Sequence, residues 1–496
     1  MEIAKEVLQI AEVLRQNGFK AYLVGGCLRD LLRKEEPQDW DLATDALPEK
    51  ILELFPDSVY ENDFGTVAIK TDSEDPKLKI IEVTTFRTED GYSNKRHPDK
   101  VQFTKSIEED LSRRDFSMNA IAFPIHDGDV LVDPFGGQRD LKNGLIRAVG
   151  DPDERFQEDA LRLMRAVRFS AQLGFEIEKK TKRAIERNKD LLSHVSLERI
   201  KAELEKTIMS GHAAAGIENF RRMGLLEYII PELLEGVNME QNMHHIYSVY
   251  EHNLKSLDYS ANKGYSLEVR LASLLHDVGK PATREWKDHP EGQKEMNGKK
   301  GDWTFYSHQV VGAKMTRKIL KRLTFSKKLV DKVSLLVYEH MFVYDPDAVT
   351  LAGVRRLLAR VGDENINDLI KVREADRIGS GVPKAQPYRL RHLMAMFEKV
   401  KTDPVSVKML KINGDDLMKE LKLKPGPKLG FILNVLLEGV LDDPKTNTEK
   451  ELLKRAKDLA KFSEKELQAS ADAAKEKAKE AQDKIDQEIK AKYFVK

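Results

Sequence analysis

Two aspartates one position apart, Asp39 and Asp41, lie in a segment with the character of a β-strand, DWDLA. Alternate side chains of a strand point to the same face, so this spacing predicts that both carboxylates lie on one side. Two carboxylates on one face can share two magnesium ions that bridge a triphosphate. Glu82, in IIEVTTF, is either a third carboxylate beside these metals or an exposed glutamate at a strand end.

A glycine pair precedes the aspartates, where the strand AYLV runs into Gly25 and Gly26 and a helix is predicted to begin near Leu28. Glycine lets the backbone approach a phosphate closely, and the N-terminus of a helix supplies oriented N–H donors. Arg29 follows in this helix, and its planar guanidinium can bind phosphate oxygens in a bidentate manner. The segment therefore predicts a nucleoside triphosphate site.

Three arginines recur at intervals of three in EDALRLMRAVRF, at Arg162, Arg165 and Arg168. Each step of three residues rotates about −60° around an α-helix. The first two arginines are therefore predicted to share a helix face with Asp159, with Arg168 at the margin of that face. Such a strip could contact a base and phosphates together.

A further segment, SRRDFSMNAIAF, contains Arg114 and Asp115. Together with the segments above, it resembles the class II tRNA nucleotidyltransferase and bacterial poly(A) polymerase family over about residues 20–235. The resemblance implies metal binding by Asp39 and Asp41 and a position beside the sugar for Asp115. It also implies contacts with the triphosphate or ribose for Gly26, Arg29 and Arg114.

A second cluster of potential metal ligands follows an apolar helical stretch in LASLLHDVGKP, with candidates on both sides: His252, His276, Asp277 and Asp376. Two histidines and two aspartates combine borderline nitrogen with hard oxygen ligands, which suits a divalent metal that activates water. This set resembles the HD phosphohydrolase family. His308 and His340 resemble the extra ligands of those HD sites that hold a second metal.

Other polar residues near this cluster have less specific interpretations. Lys280 either faces a substrate phosphate or is an ordinary lysine at a helix end, whereas His244 and His245 are interpreted as structural. Seven of the 12 histidines lie between His244 and His340. This bias indicates a separate domain.

Composition limits the class of protein. A chain of 496 residues exceeds a single core and suggests roughly three or four domains. Lys+Arg 83 against Asp+Glu 83 gives no net charge, so a polyanion must be held by local basic patches. The single cysteine, Cys27, excludes an internal disulfide and favours a reducing, cytoplasmic location. The N-terminus does not resemble a signal peptide, and no apolar run is long enough to span a membrane.

The order of elements predicts an α+β fold. Helix and strand patterns alternate in residues 1–150, which should form a nucleotidyltransferase head with a small mixed β-sheet and flanking helices. From about Glu154 the strand signal disappears, so the remainder is predicted to be helical. Its parts are a neck that recognises the base, an HD domain, a C-terminal RNA-binding region, and a charged helical or disordered tail, at residues 151–236, 237–400, 401–462 and 463–496.

Two segments are predicted to be mobile. Thr88–Lys100 is polar and turn-rich and should be a loop between strands. Asp133–Leu141 resembles the flexible link from head to neck in the family. Further along, Val405–Ala460 resembles the C-terminal region of HD-containing bacterial CCA-adding enzymes.

The resemblance implies a template-independent nucleotidyltransferase that adds C, C and A to the tRNA 3′ end from CTP and ATP. Mg²⁺ is the expected cofactor, and a second divalent metal is expected in the HD domain. Asp159 and Arg162 are predicted to replace a template, because a carboxylate and a guanidinium one helical turn apart can complement the pairing edges of C and A but not of U and G.

Several alternatives share these motifs. A poly(A) polymerase or an enzyme that adds only part of CCA has the same catalytic residues; the presence of Thr88–Lys100 and the C-terminal resemblance favour full CCA addition. The HD domain could instead be the principal activity, as a metal phosphohydrolase, or the protein could bind RNA without catalysis. Intact Asp39 and Asp41 argue against both. A monomer and a homodimer are equally compatible with the sequence.

Overall fold

A computed structural model of the chain describes residues 2–62, 64–91, 100–126, 128, 130–241, 246–288, 301–342, 345, 349–400, 406–463 and 466–467. The chain divides into two compact units. The first comprises Met1–Met239, Ala261–Arg270 and Lys318–Lys327. The second comprises Glu240–Ser260, Leu271–Arg317 and Lys328–Lys496. Helices predominate after a mixed N-terminal sheet, which confirms the predicted α+β class. The finer division into five segments stays a prediction.

The N-terminal part of the first unit contains five α-helices and nine strands among the described residues. The helices are α1 (Lys5–Gln16), α2 (Gly25–Leu32), α3 (Pro48–Leu54), α4 (Ile107–Ser112) and α5 (Gly137–Asn143). The strands are β1 (Ala21–Val24), β2 (Asp41–Thr44), β3 (Ser58–Asn62), β4 (Thr66–Lys70), β5 (Ile80–Thr85), β6 (Arg87–Asp90), β7 (Lys100–Phe103), β8 (Ala122–Pro124) and β9 (Leu145–Ile146).

Six of these strands form one mixed sheet in the order β3-β4-β5-β2-β1-β8. Strands β2 and β5 run parallel and place Asp41 beside Glu82, whereas the other neighbours are antiparallel. Helix α1 packs on this sheet because Val7, Ile10 and Leu14 recur at helical spacing and are buried in its core. The sheet thus fixes the start of β2 next to the middle of β5.

The rest of the first unit is a helical layer built from α6 (Pro152–Glu158), α7 (Leu161–Leu173), α8 (Lys179–Asn188), α9 (Leu197–Ile208), α10 (Ala213–Arg222) and α11 (Leu226–Ile229). Helix α7 packs on α9 and α10 and buries apolar residues along its length. A two-residue strand, β10 (Glu176–Ile177), pairs in parallel with β9. The prediction of an entirely helical neck was therefore wrong at β10.

Beyond residue 240 the described helices are α12 (Val249–Asn262), α13 (Leu267–Leu275), α14 (His308–Arg322), α15 (Lys327–Glu339), α16 (Leu351–Val361), α17 (Asp363–Gly379), α18 (Tyr388–Val400), α19 (Gly414–Leu421), α20 (Pro427–Asp442) and α21 (Glu449–Leu459). An antiparallel pair interrupts them, β11 (Glu285–Asp288) with β12 (Gly301–Thr304), in which Trp286 faces Trp303. The sequence did not predict this pair. Helices α19, α20 and α21 share an apolar core around Leu417, Ile432 and Leu452.

The structure describes only the ends of the first segment predicted to be mobile, and all of the second. Residues at the ends of Thr88–Lys100 belong to β6 and β7, which pair antiparallel up to Asp90 and Lys100. Residues 92–99 lie outside the described part. Asp133–Leu141, the predicted flexible link, contains the first residues of α5, and its flexibility stays a prediction. The Asp133 carboxylate accepts hydrogen bonds from the backbone N–H groups of Gly137 (2.6 Å) and Gln138 (3.0 Å), which fixes the start of that helix.

Two further predictions concern the charged tail and the absence of a membrane span. Most of the tail at 463–496 lies outside the described residues. Across the described residues, no helix combines the length and the apolar character needed to cross a membrane.

Candidate active sites

The glycine pair lies where β1 turns into α2, and α2 begins at Gly25 rather than near Leu28. Gly25 has a φ of +71°, which favours glycine. A Cβ atom there would lie 3.2 Å from Asp41 Oδ2 and 3.3 Å from Arg114 Nη1. At Gly26 it would lie 3.7 Å from Asp39 Oδ1. Glycine at both positions therefore keeps space open beside the two carboxylates, as the sequence suggested.

The carboxylates of Asp39, Asp41 and Glu82 lie close enough to repel one another. Asp41 is the first residue of β2, while Asp39 lies in a bend just before that strand. Burial and the charges of Asp39 and Glu82 raise the pKa of Asp41 to about 7, although Arg114 and Arg29 oppose this shift. Glu82 is the third residue of β5, not its end, and it is exposed. Three acidic groups thus converge where oxygen ligands for a hard cation would be needed.

Arginine side chains oppose these acids. Arg29 donates to both carboxylate oxygens of Asp30, at 2.8 and 2.9 Å, and to Asn119 Oδ1 at 3.1 Å. Arg114 donates to the Asn119 backbone oxygen at 3.4 Å and to Asp110 Oδ2 at 3.3 Å. Both guanidinium groups are held in place by neighbours, which is how a phosphate-binding arginine is pre-organised.

The two aspartates and the arginines line one cavity of about 950 Å³ in the first unit. Its lining includes the two aspartates and every residue predicted for nucleotide binding: Gly26, Arg29, Asp39, Asp41, Arg114, Asp115, Asp159, Arg162, Arg165 and Arg168. Residues that are separated by up to about 140 positions in the chain therefore meet in a single site. The predicted nucleotide residues all fall within it.

Asp115 and Arg165, which both line this cavity, form an ion pair. Asp115 is buried, and its Oδ2 accepts from Arg165 Nε at 2.7 Å and Nη2 at 2.5 Å. Burial would raise the pKa of Asp115, but the Arg165 charge and a hydrogen bond from Asn119 lower it to about 2. Asp115 is therefore an anion that orients Arg165.

Arg168 has a more buried environment than predicted. It lies deep, with its Nε 2.6 Å from Glu203 Oε2 on α9, and its guanidinium stacks 3.9 Å above the Phe169 ring. Arg29 and Arg165 also lie over that ring, at 5.4 and 5.3 Å. Phe169 therefore gathers three arginines by cation–π contacts. Sequence reasoning had noted only the arginines.

Asp159 does not lie on the same helix as Arg162, which corrects the predicted geometry. Asp159 has extended backbone angles between α6 and α7, and its Oδ1 accepts from Leu161 N at 3.0 Å. Its Oδ2 accepts from Arg199 Nη2 at 2.8 Å. The two residues still face the same cavity, because a carboxylate that caps a helix start lies close to the first turn.

Arg162 is fixed by main-chain and side-chain acceptors. Its Nη1 donates to Glu158 Oε2 at 2.5 Å and to the Arg155 backbone oxygen at 3.2 Å. Its Nη2 donates to the backbone oxygen of Arg113 at 3.1 Å. Each of these partners was missed by sequence reasoning, as were Arg199 and Glu203. Arg199 and Glu203 are four residues apart in α9, and this spacing could have indicated that they share one face of that helix.

A second candidate site lies in the second unit. Two groups of potential ligands share Asp277: one with His252 and His276, the other with His308 and His340. Within each group the ligand atoms lie within 4.8 Å of one another. Asp376 Oδ1 completes the cluster at 3.4 Å from His252 Nε2. All six predicted metal ligands thus meet around one carboxylate.

The backbone orients three of these imidazoles. Nδ1 of His276, His308 and His340 lies 2.9, 2.7 and 2.6 Å from the backbone oxygens of Ser273, Phe305 and Val337. A carbonyl oxygen can only accept, so Nδ1 donates and Nε2 is left with a lone pair for a metal. The cluster is therefore arranged for coordination through Nε2.

The charges of this cluster are strongly coupled. Burial would lower the pKa of His276, but Asp277 and Asp376 outweigh it and raise that pKa to about 10. By contrast, burial and the neighbouring His276 and His308 hold the pKa of His340 well below its usual range. Positive charge is thus favoured between His276 and the two aspartates. A divalent cation would satisfy the same demand.

Lys280 lies beside Asp277 rather than free at a helix end. Its Nζ is 2.6 Å from Asp277 Oδ2 and 2.6 Å from Gln241 Oε1. Its charge helps to keep the pKa of Asp277 well below the usual range against the effect of burial. His244 and His245 lie outside the described residues.

These features define a class: a nucleotidyltransferase head with an attached HD domain. Family models agree, since the Poly A polymerase head domain matches residues 21–147, the probable RNA and SrmB-binding site of polymerase A matches 174–236, and the HD domain matches 249–380. The chain belongs to the family of CCA-adding enzymes. It is 34% identical over 457 residues to the CCA-adding enzyme of Ligilactobacillus salivarius (strain UCC118), covering 92% of this chain and 96% of the relative.

Other relatives support the same family. The CCA-adding enzyme of Limosilactobacillus reuteri (strain DSM 20016) is 32% identical, with 93% and 97% of the two chains covered. The crystal structure of the Bacillus stearothermophilus CCA-adding enzyme in complex with CTP has a TM-score of 0.68 at 29% identity, over 92% and 96% of the chains. The Thermotoga maritima CCA-adding enzyme complexed with tRNA shares the fold, with a TM-score of 0.54 at 18% identity over 92% and 95%.

Proposed function

We propose that this chain adds C, C and A to the 3′ end of tRNA from CTP and ATP without a nucleic-acid template. The observation that carries the proposal is the cavity that Asp39 and Asp41 line together with eight arginines, five of which the sequence predicted: Arg29, Arg114, Arg162, Arg165 and Arg168. Nucleotidyl transfer needs both carboxylates that bind a metal cation and positively charged side chains that bind the phosphates. The relatives named above, one of them solved with CTP and another with tRNA, support this substrate choice.

The acidic group fits magnesium. Asp39, Asp41 and Glu82 offer only hard oxygen ligands, and a bound cation would favour the ionised form of Asp41, whose pKa the surrounding acids and burial raise to about 7. Asp39 and Asp41 would hold the metal, with Glu82 beside them. Magnesium supplies charge neutralisation for the attacking and leaving oxygens when it is bound.

The arginines orient the triphosphate. In the proposed reaction the RNA 3′-hydroxyl attacks the α-phosphate in line, the bond from that phosphorus to the β-phosphate oxygen breaks, and pyrophosphate leaves. Arg29 and Arg114 bind the phosphate oxygens, and their existing contacts with Asp30 and Asp110 keep the two guanidinium groups from collapsing onto Asp41. Asp115 acts by holding Arg165 against the nucleotide.

Asp159 and Arg162 select the base. CTP and ATP each present an amine donor beside a ring-nitrogen acceptor, so one carboxylate and one guanidinium satisfy either edge. UTP and GTP present a carbonyl and an N–H at those positions and would place acceptor against acceptor and donor against donor. Each unpaired buried polar group costs about 1–3 kcal/mol, so two mismatches give a discrimination on the order of a thousandfold.

Both residues keep capacity for a base in this structure. The three hydrogen bonds that Arg162 makes to described residues use three of its five N–H donors. Each Asp159 oxygen accepts one hydrogen bond from Leu161 or Arg199 and has a second lone pair. Asp159 and Arg162 can therefore form hydrogen bonds with a bound base without losing the contacts that hold them in position.

The test is sequencing of 3′ ends after a tRNA that lacks CCA is incubated with each nucleotide alone and with CTP plus ATP. Growth by C, C and A supports the proposal, whereas a long A tail, or addition of C or A alone, indicates the poly(A) or partial alternative. Asp39→Ala and Asp41→Ala should abolish incorporation and leave tRNA binding intact. Asp57→Ala, at an exposed aspartate of the same unit, is the control. Turnover by both cavity variants would refute the assignment.

A second activity is favoured by the separate His/Asp cluster. We propose that it binds a divalent metal and hydrolyses a phosphate ester, such as a 2′,3′-cyclic or terminal phosphate at an RNA end. The donor set fits the group, because two histidine-containing groups share Asp277 and the Nδ1 atoms of His276, His308 and His340 are already hydrogen-bonded to backbone oxygens. Such a metal activates water for attack at phosphorus.

Three broader points remain proposals. We propose the same five-segment division of the chain that the sequence predicted, with residues 1–150 as head and 151–236 as neck. A cytoplasmic location rests on the single cysteine, Cys27, which is buried and whose pKa burial raises to about 12, so that it stays a neutral thiol. The oligomeric state is either monomer or homodimer.

A further inference from the structure

Two tryptophans lie side by side on the β11–β12 pair of the second unit. Trp286 and Trp303 are directly opposite in the antiparallel register, and their rings meet edge to face with centroids 5.1 Å apart. Every residue of β11 is exposed, and Trp286 keeps 43% of its surface open to solvent. The described residues therefore leave a flat aromatic surface uncovered.

Gly301 lets the Trp286 ring lie against the strand pair. A Cβ atom at Gly301 would lie 2.8 Å from Trp286 Nε1 and 2.9 Å from Trp286 Cε2, as well as 2.6 Å from the backbone oxygen of Lys287. Trp286 Nε1 donates a hydrogen bond to Asp288 Oδ1 at 2.9 Å, which fixes the orientation of the ring. One side of the indole thus rests on the backbone, and the other side is available to a planar ligand.

An arginine accompanies the two rings. The guanidinium of Arg284 lies 3.7 Å from the centroid of the Trp303 ring. Its Nε is buried and has no hydrogen-bond acceptor among the described residues. The positive charge is thus held by a cation–π contact, with no acid bound at Nε. We call Arg284, Trp286 and Trp303 the aromatic face.

Both ends of the strand pair lead into the HD cluster. Before β11, Lys280 precedes Arg284 by four residues and places its Nζ 2.6 Å from Asp277 Oδ2. After β12, the Phe305 ring lies 5.6 Å from Lys280 Nζ, and the Phe305 backbone oxygen accepts from His308 Nδ1 at 2.7 Å. The aromatic face is therefore joined to the candidate metal ligands by short segments on both sides.

The chemistry of the aromatic face fits single-stranded RNA. Bases stack on exposed aromatic rings whatever their sequence, and an arginine beside the ring attracts the phosphates. The exposed acids of β11 already have partners, since Glu285 lies 3.5 Å from Lys287 Nζ and Asp288 accepts from Trp286. The Lys287 Nζ also lies 4.6 Å from the Tyr306 ring, which adds a second cation beside an exposed aromatic side chain.

We propose that the aromatic face binds a base near the 3′ end of a single-stranded RNA whose terminal phosphate ester lies in the HD cluster. The inference rests on the proposed hydrolytic role of that cluster and names its substrate class, an oligoribonucleotide rather than a small phosphate ester. Trp286 supplies the stacking surface, and Arg284 supplies charge for the backbone. The RNA is then held at two points, a base and the terminal phosphate.

Binding is measured with the full-length protein in EDTA, so that the readout does not depend on hydrolysis. The probe is a pentaadenylate with a 5′ fluorophore and a 2′,3′-cyclic phosphate, followed by fluorescence anisotropy. Trp286→Ala should weaken binding about tenfold, as expected for the loss of one base–aromatic stack, and Trp286→Phe should retain most of the affinity. Tyr388→Ala removes another exposed aromatic side chain of the same unit and should bind like the wild type. Equal binding by the wild type and Trp286→Ala would overturn the inference.

A pentamer with the same phosphates and no bases separates stacking from charge. Trp286→Ala should bind this abasic probe as tightly as the wild type does, whereas Arg284→Gln should weaken the binding of both probes. A loss of the same size with both probes in Trp286→Ala would mean that Trp286 supports the fold rather than a base, which also overturns the inference. If Trp286→Ala does not fold, Trp286→Leu keeps an apolar contact with Gly301 without a stacking ring and carries the same comparison.

Hydrolysis of the probe with added Mn²⁺ tests the proposed function separately. RNA that binds with the expected dependence on Trp286 but is not hydrolysed would refute the phosphohydrolase proposal and support the aromatic face. Hydrolysis with the same KM in the wild type and Trp286→Ala would support the phosphohydrolase and refute the aromatic face. Light scattering covers a protein partner: if Trp286→Ala binds RNA normally but dissociates a dimer, the face contacts a second copy of this chain and the RNA inference is wrong.

Discussion

The raised pKa of Asp41 makes a quantitative prediction about stability. In metal-free protein the native carboxylate has a pKa of about 7 instead of 3.8. Between these values the native state keeps a proton that the unfolded chain releases, so stability falls as the pH rises through this window. Above about pH 7 the full destabilisation is present. A shift of about 3 units corresponds to about 4 kcal/mol.

Asp41→Asn removes this charge and should therefore stabilise the head at pH 8 in EDTA by up to about 4 kcal/mol. At pH 5 the gain should fall below about 2 kcal/mol, because the wild-type carboxyl is then protonated. Magnesium at pH 8 should narrow the difference, since it stabilises only the wild type. The variant should be inactive throughout.

Urea unfolding monitored by tryptophan fluorescence measures the effect. Trp40 is buried beside Asp41, so substitution of the other two tryptophans, Trp286→Phe and Trp303→Phe, leaves a reporter specific to the head. Asp57→Asn, at an exposed position, serves as the control for loss of one negative charge. A stability difference that does not vary with pH, or a destabilised Asp41→Asn at pH 8 in EDTA, would refute the reasoning.

The remaining predictions concern selectivity, the second site and the hairpin. Asp159→Ala should relax the exclusion of UTP and GTP more than it slows CTP addition, as steady-state kinetics with all four nucleotides would measure; unchanged discrimination would place base selection elsewhere. His276→Ala should remove bound metal and any phosphatase activity while nucleotide addition persists; wild-type protein without stoichiometric metal by elemental analysis would argue against a functional centre. Shortening Thr88–Lys100 should stall products at CC, and normal A addition by the shortened protein would contradict a role for this segment.

Local chemistry was predictable from the sequence, because residue type and short spacing determine it. Asp39 follows Gly26 by 13 residues, and a single helix, α2, separates the glycine pair from strand β2. The six residues predicted as HD ligands also lie together in the structure, although metal binding by them stays a prediction. In both cases the motifs supplied the candidates, and the resemblance to known families grouped them.

Pairing between distant side chains was not predictable in the same way. Asp115 bonds Arg165, 50 positions later, and nothing in either segment specifies that partner. Asp159 was placed on a helix with Arg162 from helical spacing alone, although aspartate commonly caps a helix start and its carboxylate here accepts from Leu161 N. The β11–β12 pair was missed because strands of only four residues give little periodic signal.

The β6–β7 hairpin has an evolutionary consequence. Its strands are paired as far as Asp90 and Lys100, so the fold already holds the two ends of residues 91–99 together. Doubling the length of a segment whose ends are fixed in this way adds only about 0.6 kcal/mol of closure entropy. Insertions and deletions there are nearly neutral for folding. We therefore expect the fold to tolerate differences in the length of this segment, and peptide tags inserted there should leave folding intact.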